Sequence, residues 1–326
     1  MKALMLDSYG APFRLAEVPR PAAGAGQVLV RIRASGVNPL DTKIRAGQAA
    51  HARHPVPAIL GLDLAGVVER VGPNVTDFTE GDEVYGMTGG VGGIPGSLAE
   101  YAAVDARLLA PKPATLSMRE AAAVPLIFIT AWEGLVSRVK LDPKRNVLVL
   151  GAGGGVGQMA IQIACSIGSD VYGIDRAAKA DSIRRLGATP IDLACETVDD
   201  YVAKYTGGKG FDVVYDTVGG TSLDTAFKAV KQFGHVVTAL GWGTHALAPL
   251  SFKSGTYSGV FTLAPLLTGE GREHYGQILR EATRLANNNA LCPLLDSHNF
   301  TLDNALDAYE LIEQRQARGK LVVEIN

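Results

Sequence analysis

A chain of 326 residues exceeds what one hydrophobic core ordinarily organises, so two domains are expected, and 47% hydrophobic side chains suffice to fill them. With 31 basic residues against 33 acidic ones and no basic run, the sequence presents no field for nucleic acid or an anionic membrane, which leaves small molecules as partners. Cys165, Cys195 and Cys292 are widely separated and form neither a CxxC pair nor a disulfide framework, as suits the cytoplasm, and Asp7 interrupts the start of the chain before an apolar leader could form.

The first 120 or so residues read as an antiparallel β domain with little helix. Gln27 to Ala34 alternates Val28, Val30 and Ile32 against Leu29, Arg31 and Arg33, as a half-buried strand does. Leu64 to Val71 and Glu83 to Gly86 are similar, set off by Gly72-Pro73-Asn74 and Gly81-Asp82. The glycine-rich segment from Gly86 to Gly96 reads either as a flexible lip over a substrate or as a plain hairpin connection. His51 and His54 stand three apart between prolines, with no cysteine nearby to complete a metal site.

The rhythm changes near Asn146. Val147–Leu150 is a short apolar strand, and after the glycines Val156, Ala160, Ile163, Ala164 and Ile167 share one helical face. Strands are expected at Asp170–Asp175, Thr189–Asp192, Phe211–Val218 and His235–Leu240, with helices at Ala178–Leu186, before Phe211 and after Thr221. Such alternation implies a doubly wound parallel sheet, an α/β fold. Asn146 to Ser169 carries no charge over a length that would span a bilayer, but its glycine cluster with Gln158 and Gln162 fits a folded turn instead. In the tail, Glu273–Asn287 and Leu302–Gln316 read as helices, and Lys320–Ile325 as a closing strand that rejoins the first domain.

Ala152-Gly153-Gly154-Gly155-Val156-Gly157 ends a strand and opens a helix, the place where free N–H groups and the helix dipole favour a pyrophosphate. Aligned on Gly154 and Gly157, the first position of G-x-G-x-x-G is Ala152. Asp175, at the end of the next strand, is placed to accept from ribose hydroxyls, which favours NADH. Arg176 and Lys179 beside it are placed to hold a 2′-phosphate, which favours NADPH, or are solvated helix-start residues. The balance of cations favours NADPH, with NADH open.

Together these residues resemble the medium-chain dehydrogenase/reductase superfamily, in particular its zinc-free quinone oxidoreductases. The anchors are Gly36-Val-Asn-Pro-Leu-Asp-Thr-Lys43, Leu60-Gly-Leu-Asp-Leu-Ala-Gly-Val-Val68, Gly81-Asp-Glu-Val-Tyr85, Gly96-Ser-Leu-Ala-Glu-Tyr101, the Ala152–Gly157 turn with Ala160-Ile-Gln-Ile-Ala164, and Phe211-Asp-Val-Val-Tyr-Asp-Thr-Val-Gly219. The resemblance implies a Rossmann domain at 125–261 inserted into a GroES-like β catalytic domain formed by 1–124 and 262–326, and a homodimer. It also implies cofactor contacts at the later strand ends, Val218, Leu240 and Gly241. Two departures touch adenosine recognition: Leu193 stands where an aromatic residue is common, and Asp175-Arg176 where Gly or Ser with Lys is common.

Zinc-using members carry a cysteine where this chain has Asn38, and Gly-His-Glu where it has Gly61-Leu62-Asp63. Their third ligand falls near Pro125–Phe128, here Pro-Leu-Ile-Phe. A catalytic zinc needs three Cys, His or carboxylate ligands, so no metal is expected. The implied reaction is hydride transfer from NADPH to a quinone or an α,β-unsaturated carbonyl, whose product anion is delocalised and needs only hydrogen-bond donors. Asn38 is the leading donor, against the reading of an Asn-Pro turn residue bonding its own backbone. Lys43 would place charge near the developing enolate with Asp41 orienting it, or Asp41 caps a short helix beginning near Thr42 and Lys43 is a surface cation. Thr130 matches a family threonine near the nicotinamide, or is a buried hydroxyl bonding the preceding helical turn. Two other functions stay open: a non-catalytic dinucleotide-binding sensor or structural protein, and an atypical alcohol dehydrogenase.

Overall fold

The computed structural model describes residues 1–325. They form two compact units, Ile127–Thr262 and the two flanking segments, Met1–Leu126 with the chain from Leu263 onward. The inserted unit thus begins two residues later than expected and ends one later, and the helix Pro125–Trp132 begins on the flanking side.

In the flanking unit the long strand Gln27–Val37 is central. It pairs antiparallel with Asp63–Val71 on one side and Leu321–Glu324 on the other, and Glu83–Met87 and Leu109–Pro111 extend the sheet beyond Asp63–Val71. Val28, Val30 and Ile32 are buried in its core with Leu64, Val68, Val84 and Leu109, as the alternation requires. A smaller sheet of Arg14–Glu17, Lys2–Leu6 and Ala58–Ile59 adjoins. The helix Arg272–Asn287 buries Tyr275, Ile278, Leu279, Ala282 and Leu285 along one face, and the buried Tyr85 hydroxyl donates to the Leu279 carbonyl at 2.7 Å.

The segment from Gly86 to Gly96 is not a loose lip. Thr88 N–H donates to Leu62 O at 2.8 Å, Gly92 N–H to Ala52 O at 2.9 Å and Gly96 N–H to Ile59 O at 2.8 Å, and Val91 is fully buried. Small residues are needed because the backbones nearly touch: a Cβ on Gly96 would stand 2.2 Å from Leu60 O.

The inserted unit is a six-stranded parallel sheet in the spatial order Thr189–Asp192, Asp170–Asp175, Asn146–Leu150, Phe211–Asp216, Val230–Thr238, Thr256–Gly259. Sequence order reverses beside Asn146–Leu150, the first strand of the unit, and ligands of doubly wound sheets bind outside the strand ends at such a reversal. The uncharged stretch from Asn146 to Ser169 is this strand with the helix Gly155–Ile167, and no helix among the described residues is long and apolar enough to cross a membrane. The edge strand Thr256–Gly259 was not expected; at four residues with one apolar side chain it carries too little pattern to be read.

Candidate active site

The phosphate turn joins the strand Asn146–Leu150 to the helix Gly155–Ile167. The sharp bend is made by Gly151, at φ +76°, one residue before the expected position Ala152. That explains why alanine is tolerated at Ala152, which is buried with its N–H bonded to Ile174 O at 3.1 Å. Gly157 must lack a side chain, since a Cβ there would lie 2.2 Å from Gly151 O and 2.7 Å from the Ala152 Cα. Gly154 is exposed and Gly155 and Val156 are half-buried, and as the first helical residues the latter two have no intrahelical acceptor for their N–H groups. Those donors form a cradle fitted to a pyrophosphate. The Gln158 amide braces the turn from within by donating to Gly153 O at 3.1 Å.

Asp175 is tied to this turn. Its Oδ2 accepts the Gly153 N–H at 2.9 Å and its Oδ1 accepts the Arg176 N–H at 2.8 Å. Gly153 is buried, and the space a Cβ would fill is taken by Lys179 Cγ and Cβ, at 2.7 and 2.8 Å. Lys179 therefore lies along the turn with its aliphatic stem. Arg176 is exposed and forms no ion pair with any described residue, so its guanidinium is open to an anion.

Val218 lies on the loop after Phe211–Asp216, and Leu240 and Gly241 on the loop after Val230–Thr238. The buried Asp216 carboxylate organises both loops: it accepts from Val218 N–H at 3.2 Å, from Gly219 N–H at 3.1 Å and from the Thr238 hydroxyl at 2.9 Å. Thr238 in turn accepts the Leu240 N–H at 3.1 Å. Val218 is 54% exposed and Gly241 is exposed, leaving both free to contact a ligand. Leu193 is also exposed, on the loop after Thr189–Asp192. Thr130 is buried; its hydroxyl pairs with that of Thr262 at 2.8 Å, and its carbonyl accepts from the Tyr215 hydroxyl at 2.7 Å.

In the flanking unit, strand register gathers a second group. Gly36 lies opposite Asp63, and Val37 opposite Leu321. The residues just past those pairs, Asn38 and Lys320, therefore meet beside Asp63 at the ends of three adjacent strands. All three are buried. Asn38 Nδ2 donates to Asp63 Oδ2 at 2.9 Å, and Lys320 Nζ donates to Asn38 Oδ1 and, at 2.9 Å, to Val37 O. Lys320 Nζ stands 3.9 Å from Asp63 Oδ2, and the other Asp63 oxygen accepts the Leu126 N–H at 3.0 Å.

Asn38 also precedes the helix Pro39–Arg45 as its N-cap, and the Asp41 carboxylate reaches back to the Asn38 backbone N–H at 2.8 Å. The helix starts at Pro39, ahead of the start near Thr42 that the capping reading expects, and Asp41 closes the box from the third helical position. Its second oxygen, Oδ1, is buried without a partner. Burial and the neighbouring Asp63 push the Asp41 carboxyl up to about 7, and burial pushes Asp63 up to about 6 against the pull of Lys320. Burial also lowers Lys320, which the two carboxylates oppose.

Lys43 lies outside this group. It is exposed on the helix, while the ammonium that reaches Asn38 is Lys320. A lysine five residues along a helix from its N-cap faces away from the cap side chain, whereas Lys320 is delivered by strand pairing. Sequence reasoning missed Lys320, and its one signal was a charge at the very start of the strand expected at Lys320–Ile325.

Residues 24–114 match the family model described as the alcohol dehydrogenase GroES-like domain, and residues 186–323 match the one described as zinc-binding dehydrogenase. The chain is 35% identical to 2-methylene-furan-3-one reductase of Solanum lycopersicum, over 99% of this chain and 79% of that protein. The chain belongs to the medium-chain dehydrogenase/reductase superfamily. It is 34% identical, with the same coverage of both chains, to the NADPH-dependent alkenal/one oxidoreductase of Arabidopsis thaliana, a chloroplastic protein. The crystal structure of an alcohol dehydrogenase superfamily protein from Novosphingobium aromaticivorans superposes with a TM-score of 0.99 at 53% identity, over 100% of both chains. Both flanking and inserted units are therefore those of the superfamily, a Rossmann domain set into a GroES-like domain. Among the described residues no group of three or more His, Cys, Asp or Glu side chains comes together in an arrangement that could hold a metal ion.

Proposed function

We propose that the protein is an NADPH-dependent reductase of α,β-unsaturated carbonyls or quinones that works by hydride transfer without zinc. The observation that carries the reading is the phosphate turn, with half-buried Gly155 and Val156 at a helix start and the exposed Arg176 just past the end of the adjacent strand. Relatives at 34–35% identity whose names specify reduction of enones and use of NADPH supply the acceptor class.

NADPH, when bound, supplies the hydride. The Gly155 and Val156 N–H groups hold its pyrophosphate, Arg176 pairs with the 2′-phosphate, and Lys179 adds positive charge at the turn. Val218, Leu240 and Gly241 border the same strand ends. Asn38 donates its second amide N–H to the acceptor oxygen, where charge develops as hydride adds to the conjugated carbon. Because that anion is delocalised into an enolate or hydroquinone, a neutral donor suffices. The position of zinc members' cysteine holds an amide here, and Leu62 offers no donor atom.

The test is anaerobic steady-state oxidation of NADPH and NADH with 2-alkenals, enones and benzoquinones. Turnover is expected with NADPH preferred, and no turnover with any acceptor would sink the reading. Stoichiometric zinc by elemental analysis of the purified protein would favour an alcohol dehydrogenase instead. Tight NADPH binding without hydride transfer would favour a sensor.

Two coarser properties belong to the same proposal. A homodimer is supported by the strand Thr256–Gly259, which among the described residues is the edge of its sheet and carries Tyr257 at 41% exposure, with Phe252 and Phe261 exposed on the segments that flank it. Light scattering checks it. A cytoplasmic setting is supported by cysteine usage: three cysteines far apart in sequence, none in a CxxC pair.

A further inference from the structure

The amide of Asn38 is held between opposite charges. Its oxygen takes a hydrogen bond from the Lys320 ammonium, and its nitrogen donates one to the Asp63 carboxylate. Turning the amide over would set NH2 against ammonium and carbonyl against carboxylate, donor to donor and acceptor to acceptor. The orientation is therefore fixed by chemistry, in a place where all three side chains are buried and a lost bond has no water to replace it.

An amide nitrogen carries two hydrogens, and the structure uses one, toward Asp63. Lys320 on the oxygen also draws electron density out of the amide, which makes the remaining N–H a stronger donor. The ammonium is itself held in place from the backbone, by the Val37 carbonyl at 2.9 Å.

We propose that Lys320 is a positioning residue for the reduction: it locks and polarises the Asn38 amide so that its free N–H meets the acceptor oxygen. The inference rests on the reductase reading above and on Asn38 as the donor. Asp63 completes the lock from the other side, and neither Lys320 nor Asp63 touches the acceptor.

The experiment is a double-mutant cycle in the full chain with Asn38→Ala, Lys320→Met and the pair, read as kcat and KM for an enone and as Kd for NADPH. K320M is expected to lower kcat about 10- to 100-fold, with the NADPH Kd unchanged within about twofold. The double variant should be no slower than N38A alone, because Lys320 acts only through Asn38. Losses that multiply in the double variant would overturn the proposal, as would wild-type kcat in K320M. K320M leaves Asp63 without its cation; if that variant does not fold, Lys320→Arg replaces it in the cycle, with a loss of about 3- to 10-fold expected and the same non-additivity required.

The outcomes separate the layers of the argument. No turnover by the wild type sinks the reductase reading and this inference with it. An unimpaired N38A enzyme sinks Asn38 as donor, and Lys320 with it, while leaving the reductase. Impaired N38A with unimpaired Lys320 variants sinks the positioning role alone.

Discussion

Asp175 accepts the backbone N–H of Gly153 at 2.9 Å, so the carboxylate at the end of the second Rossmann strand is a brace for the phosphate turn. With its other oxygen on the Arg176 N–H, it is engaged on both sides before any ribose arrives. Asp175→Ala should therefore weaken NADPH and NADH alike, by about 5- to 20-fold, since loss of a charge-assisted bond to a backbone donor is worth roughly 1–2 kcal/mol. Titration of nicotinamide fluorescence with both cofactors checks it. A loss confined to NADH would show that the carboxylate turns outward to the ribose.

Arg176 carries the complementary prediction. Because it is exposed and makes no ion pair with the described residues, Arg176→Ala should leave the melting temperature unchanged. The same variant should raise the Kd for NADPH about 10-fold or more, roughly 1.4 kcal/mol, while the NADH value stays within about twofold.

Gly157 has no room for even one methyl group. In Gly157→Ala the Cβ would stand 2.2 Å from Gly151 O, and the neighbouring atoms are backbone that cannot move aside cheaply. A destabilisation of about 2–4 kcal/mol, together with loss of dinucleotide binding, is expected from chemical denaturation and cofactor titration.

The buried carboxyls set a pH trend opposite to ordinary acid denaturation. Burial pushes Asp41 up to about 7 and Asp63 up to about 6 in the folded chain, against 3.8 for an ordinary aspartate. The folded state then holds more protons than the unfolded one between about pH 4 and pH 7, so these two groups lower stability as pH rises through that window. Asp41→Asn removes one of them. Its oxygen still accepts the Asn38 N–H, and the variant should gain about 1–3 kcal/mol relative to wild type at pH 8 compared with pH 4. Urea midpoints across that range measure it, and equal differences at both ends would refute it.

What the sequence revealed follows the range over which each feature is encoded. The phosphate turn and the strands beside it were legible because a four-residue apolar strand, a glycine turn and a helical stripe from Val156 to Ile167 are contiguous, each signalled locally. Asn38 was legible as a departure from a family pattern. Lys320 was not, because its partner lies 282 residues away and only the register of Leu321 opposite Val37 brings them together. Lys43 looked attractive for being close in sequence to Asn38, yet helical geometry turns it to solvent. The brace between Asp175 and Gly153 was likewise hidden, since a carboxylate at a strand end reads the same whether it faces a ribose or its own chain.

The bond from Lys320 to Asn38 also orders events during synthesis. The ribosome makes Asn38 and Asp63 early and Lys320 only after the whole inserted unit, a contiguous segment whose sheet needs no residue from outside it. The Rossmann unit can therefore complete its core on the nascent chain while the flanking unit waits, its Asp63 still lacking a cation and its central strand still open where Leu321–Glu324 will pair. The Lys320–Asn38–Asp63 group then closes last in biogenesis, when the strand Leu321–Glu324 docks, after the inserted unit has taken shape.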